Sequence, residues 1–118
     1  MATIRNLKIQ TSTCKRIVKE LHSYEKEVER EAAKTADMKD KGADPYDLKQ
    51  QENVLGESRM MIPDCHKRLA AAIADLKSTL VYIYTFSIAE MEETDGPEVE
   101  DAKKTVADLE KQFPTEEA

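Results

Sequence analysis

Along the first part of the chain, the residues Ile4, Leu7, Thr11, Cys14, Val18, Leu21, Glu25, Val28, Ala32 and Thr35 recur at alternating steps of four and three. Ile17 and Tyr24 widen the stripe. That spacing keeps one helix face turned toward a partner, so it predicts a helix over about 3–40 with a heptad seam, polar in places but continuous. The pattern stops at Lys41-Gly42-Ala43-Asp44-Pro45. Gly42 can take the left-handed exit conformation, Asp44 can cap the next helix, and Pro45 suits its first turn. So short a link makes the next helix an antiparallel neighbour.

The second helix, over about 45–88, has the clearest pattern. Leu48, Leu55, Ile62, Leu69, Leu76 and Ile83 stand seven residues apart, and Gln51, Ser58, Cys65, Ala72, Thr79 and Phe86 follow each by three. Val54 and Met61 flank this seam on one side early, and Ile73 and Leu80 flank it on the other side later, so the later half is expected to meet a second partner helix. Pro63 removes the amide that would bond to the Arg59 carbonyl and should bend the helix there. Leu80 to Ile88 is rich in β-branched and aromatic residues and competes as a strand. A lone strand would leave its edges unpaired, and the heptad runs through it, which favours helix.

Thr94-Asp95-Gly96-Pro97 offers a cap and an N-terminal proline for a third helix over about 97–113. Val99, Ala102, Val106, Leu109 and Phe113 share one face, and an acidic tail, 114–118, follows. This helix should be roughly 25 Å long against roughly 55 Å for the first. It can cover only the end of the bundle near the N-terminus, leaving a two-helix coiled coil at the other. The expected fold is therefore all-α: a single-domain, elongated, antiparallel three-helix bundle running up, down, up.

Composition agrees. Of 118 residues, 36% are charged and 5% aromatic, which suits long exposed helices and a thin core. Disorder is the rival for so polar a chain, but disorder does not require regular apolar spacing. No apolar run approaches the roughly 20 residues of a membrane span, and the N-terminus lacks a signal-peptide pattern. Cys14 and Cys65 then read as buried, reduced thiols of a cytoplasmic protein. Residues 1–30 carry seven bases against four acids, whereas residues 88–118 carry three bases against eleven acids. This asymmetry favours docking the third helix onto the start of the first. The total of −6 argues against nucleic acid or an anionic membrane as the main partner.

Candidate chemistry is sparse. Antiparallel pairing about Gly42 brings His22, Cys65 and His66 to about one level, but adjacent residues on a helix point about 100° apart and no fourth ligand follows metal-site spacing. Cys65 sits on a buried seam, where a nucleophilic thiolate is disfavoured. Cys14 and Cys65 are offset along their helices, against a disulfide. Gly42, Gly56 and Gly96 stand alone, so there is no phosphate loop. Glu90-Met91-Glu92-Glu93 reads as a solvated helix end. Lys15, Arg16 and Lys19 form a small basic patch that ordinarily would be a wet face. No enzyme, cofactor or metal is expected.

The segment Glu57-Ser58-Arg59-Met60-Met61-Ile62-Pro63-Asp64-Cys65 resembles the hallmark stretch of the tubulin-folding cofactor A family, also called tubulin-specific chaperone A. Lys15-Arg16-Ile17-Val18-Lys19-Glu20, Tyr24-Glu25-Lys26-Glu27 and Tyr46-Asp47-Leu48-Lys49-Gln50-Gln51 are similar to the same family. The resemblance covers residues 4–80; beyond it the aromatic stretch and the longer tail depart from the pattern. It implies a three-helix bundle that captures quasi-native β-tubulin after release by the cytosolic chaperonin. The captured subunit is then passed toward α/β-tubulin assembly together with the other tubulin-folding cofactors, without nucleotide. A cytoplasmic, cytoskeleton-associated location follows from the same resemblance.

Two other readings compete. A structural coiled-coil module would form a stable homodimer without affinity for tubulin, and a prefoldin-like client binder would need strands forming a multimeric platform. A monomer is expected, because most seam residues can be satisfied within one chain. With Leu55 and Ile62 on the seam, heptad geometry turns Met60 outward, with Arg59, Pro63, Asp64 and Lys67 around it. That makes this stretch the expected client surface, and Lys15, Arg16 and Lys19 the alternative.

Overall fold

The computed structural model describes residues 2–86 and 96–113. They form three helices, α1 (Ala2–Asp40), α2 (Pro45–Phe86) and α3 (Pro97–Gln112). No strand occurs among the described residues. The β-prone stretch from Leu80 is helical as far as Phe86, so the heptad register outweighs its propensity. Residues 87–95, with Ile88, the 90–93 acidic run, Thr94 and Asp95, and the tail 114–118 lie outside the described residues.

The link between α1 and α2 forms as its residues require. Gly42 adopts φ of 68°, a left-handed value that costs little only for glycine. Around it, Gly42 N donates to the Lys39 carbonyl at 3.2 Å and Ala43 N to the Met38 carbonyl at 3.0 Å. These two bonds satisfy carbonyls that the end of α1 would otherwise leave open. Asp44 Oδ2 then accepts the amides of Tyr46 at 3.0 Å and Asp47 at 3.4 Å, capping α2. At α3 the cap is Gly96, without a side-chain hydrogen bond; Pro97 opens the helix, and Glu98 and Glu100 suit its positive end.

The chain divides into two compact units, and α1 and α2 each contribute to both. One unit comprises residues 1–17 and 68–118. Leu7, Leu69, Leu76, Ile83 and Val99 are buried in it, and Ile73 and Leu80 are buried too, as expected of positions meeting a third helix. Lys77 Nζ lies 2.6 Å from Glu110, and Lys103 Nζ lies 5.6 Å from the Tyr84 ring centroid, so α3 runs antiparallel to α2. Lys15 Nζ meets Asp101 at 3.2 Å, a contact of the kind the charge asymmetry favours.

The other unit, residues 18–67, is a two-helix hairpin. Its seam holds Leu21, Leu55 and Cys65 together with Thr35, Gln51 and Ser58, all buried. Gln51 Nε2 donates to Glu31 Oε1 at 2.7 Å and Ser58 Oγ to Glu27 Oε2 at 3.4 Å, which fixes the antiparallel register. Val54 and Met61, with no third helix beside them in this unit, stay exposed.

Some seam assignments change: on α1 the flanking Ile17 is buried and Val18 only half-buried. Glu25 does not face the seam: its side chain keeps 47% of its exposure and lies 3.3 Å from His22 Nδ1. A carboxylate turned into a thin apolar seam would lose its hydration without a partner, and the drift of a 3.6-residue helix against a 3.5-residue repeat lets it turn away. On α3, Val99, Ala102 and Leu109 are buried as expected, but at the middle of the stripe Thr105 is buried and Val106 only half-buried.

Candidate protein-binding surface

In the hairpin unit, the inward face of α2 is set by Leu55, Ser58 and Cys65, all buried. Helix geometry then turns the residue opposite them to solvent, and Met60 is 72% exposed. Arg59, Pro63, Asp64 and Lys67 are exposed on the adjoining turns, so these five residues occupy one stretch of a single helix. The helix continues through Pro63, whose ring nitrogen offers no hydrogen to the Arg59 carbonyl.

Three further exposed apolar residues of α2 were not assigned to the binding face from the sequence: Val54, Met61 and, farther along the helix, Tyr46. Their signal was present, since Val54 and Met61 flank a seam that has no third partner at this level. Tyr46 is tied locally, its hydroxyl accepting from Gln50 Nε2 at 2.8 Å. On the other flank a shallow groove of about 440 Å³ is floored by Ala32, Ala36 and Leu55 and rimmed by Lys39, Glu52 and Arg59. Lys39 and Glu52 are 3.6 Å apart across that rim. Arg59 thus belongs to a groove as well as to the neighbourhood of Met60.

The basic residues of α1 are not equivalent. Lys15 is engaged with Asp101, its Nζ reaching Oδ1 at 3.2 Å and Oδ2 at 3.3 Å. Arg16, in the same unit, and Lys19, in the hairpin unit, are exposed.

Groups with shifted acidity are structural. Burial, and then the charge of Asp75, push the Cys14 thiol above its ordinary value, which keeps it protonated and inert. A hydrogen bond with Tyr84, and then the charge of Glu100, hold Lys103 above the usual lysine range. Cys14 and Cys65 are both buried thiols. Among the described residues no group of three or more His, Cys, Asp or Glu is placed to hold a metal ion, and no helix is long and apolar enough to cross a membrane.

As a class, this is an all-helical protein whose distinctive chemistry lies on exposed helix faces. A family model described as "Tubulin binding cofactor A" matches residues 2–106, and the chain belongs to that family. It is 84% identical, over all of both chains, to tubulin-folding cofactor A of Arabidopsis thaliana. The crystal structure of tubulin folding cofactor A from that organism superposes with a TM-score of 0.77, covering 95% of this chain and 99% of that one. A solved structure described as a β-tubulin binding post-chaperonin cofactor is 27% identical and superposes with a TM-score of 0.72, covering 93% of this chain and 99% of that chain.

Proposed function

We propose that this chain is a tubulin chaperone that binds quasi-native β-tubulin released by the cytosolic chaperonin. It holds the subunit, as a monomer in the cytoplasm, until the other tubulin-folding cofactors join it to α-tubulin at the cytoskeleton's point of supply. Family membership across residues 2–106 carries this reading, and the likeness to a β-tubulin binding post-chaperonin cofactor supports the choice of β- over α-tubulin. The family is one of chaperone cofactors, which is not an enzyme class. A holdase of this kind works by covering a surface that would otherwise aggregate, which needs an extended binding face and no reaction.

The face proposed for this contact is Met60 with Arg59, Pro63, Asp64 and Lys67. A flexible, polarisable methionine adapts to varied partner surfaces, and among the described residues Met60 is the most exposed large apolar side chain. The test is a native-gel shift with chaperonin-released β-tubulin, with α-tubulin as control, in chelator and without added nucleotide. The double variant Met60→Glu/Arg59→Ala should lose less than about 0.5 kcal/mol of stability, since both side chains are exposed. It should weaken capture by about tenfold or more, because the same change buries a charge in an interface. Wild-type capture that requires metal or nucleotide would refute the mechanism. Undiminished capture by the variant would move the face to Arg16 and Lys19.

A further inference from the structure

Residues 69–86 of α2 carry only two charges, Asp75 and Lys77, in a chain that is 36% charged overall. Part of the reason is that Leu69, Ile73, Leu76, Leu80 and Ile83 fill the inward face. That does not account for the outward face, where water normally selects lysine and glutamate. There the helix presents Ala71, Ala74, Ser78, Val81 and Thr85, all exposed, with Val81 at 63% and the adjoining Tyr82 at 50%. Lys77 reaches sideways to Glu110 on α3 at 2.6 Å, and Asp75, exposed, borders this face on the side of Ala71 and Tyr82 without lying on the line from Ala74 to Val81.

We infer that this outer face of α2, from Ala71 to Thr85, is a second contact surface for the client, taking an uncharged, apolar part of the subunit's surface. The inference rests on the proposed function. Alanine and serine let a partner's backbone come close at one end, while Val81 and Tyr82 supply apolar area at the other. A neutral face meeting a neutral face strips no charge of its water. A second copy of this chain is a poor occupant on area alone. The strip is about 20 Å long and about 10 Å wide. It would therefore bury only about 200 Å² per copy against the roughly 800 Å² per partner of a stable interface. A large subunit, with surface to spare for contacts elsewhere on the chain, does not meet that limit.

The experiment uses the full-length chain carrying Ala74→Glu/Val81→Glu, and separately Ala74→Lys/Val81→Lys, with Lys104→Glu as a charge control outside the face. Circular dichroism and sedimentation check each before native-gel titration with chaperonin-released β-tubulin. Both face variants should remain helical and monomeric and bind about tenfold or more weaker, while the control binds like wild type. If wild type captures and both face variants capture equally well, the inference fails and the proposed function stands. Opposite effects of Glu and Lys would reveal long-range charge steering and overturn the contact. A wild-type dimer that the variants dissociate would assign the face to self-association and overturn it as well. Should wild type capture no tubulin, the proposed function fails and this inference with it.

Discussion

The two compact units share helices and heptad register but fill the register differently. In the unit of residues 1–17 and 68–118, the seam is mainly apolar, with Leu7, Leu69, Leu76, Ile83 and Val99 almost completely buried and Thr11 and Thr105 buried beside them. In the unit of residues 18–67, Leu21, Leu55 and Cys65 are interleaved with buried Thr35, Gln51 and Ser58, and Gln51 and Ser58 bond across the seam to Glu31 and Glu27. An apolar seam draws on water exclusion, worth about 25 cal/mol per Å² buried. A polar seam exchanges hydrogen bonds with water for hydrogen bonds with protein, for a net gain of only about 1 kcal/mol each. The first arrangement provides stability; the second specifies register with little stability, and suits a segment that opens locally. The proposed face around Met60 lies in the unit with the more polar seam, and the uncharged face of α2 lies in the other.

The largest effect expected separates the two seams directly. Leu76→Ala, at a fully buried position, should cost about 3 kcal/mol in urea unfolding, whereas Ser58→Ala should cost about 0.5 kcal/mol or less. Equal losses would break the comparison. Native-state hydrogen exchange on the same proteins should show the amides of residues 18–67 exchanging faster than those of 69–83.

A smaller effect should come from the link in the hairpin unit. Asp44→Ala removes the acceptor of two amides and should cost about 1 kcal/mol. That would make one cap worth more than one polar seam position in the same unit. A loss below about 0.3 kcal/mol would mean that water caps α2 equally well.

The smallest is a pH effect confined to the apolar unit. The folded state holds the Cys14 thiol above its ordinary value, so on raising pH the unfolded chain ionises this cysteine first. Stability should be flat below the ordinary thiol range and should fall as pH rises through it toward the folded value. Cys14→Ala should flatten that alkaline slope in a denaturation series. An unchanged slope would show that another group carries it.

Much of this was legible in the chain itself, because it depends on short-range chemistry. Gly42 can take a positive φ, Asp44 can reach two amides, and Pro45 can open a helix wherever they occur in that order. The heptad from Leu48 to Ile83 likewise dictates a helix and its inward face, and it overrode the strand propensity of the aromatic stretch. Met60 followed from the same periodicity. Tertiary structure alone decided the rest. Whether Val54 and Met61 or Ile73 and Leu80 became buried depended on which of them found a third helix alongside, and a period of seven is blind to that. Glu25 left the seam because a carboxylate without a partner gains more from water than from a thin core. The uncharged outer face of α2 lies opposite the heptad seam in the residues themselves, but only the packing shows that Ala71, Ala74, Ser78, Val81 and Thr85 stay exposed. Periodicity tells a helix which way to turn, and only the neighbours that arrive determine how much of it is covered.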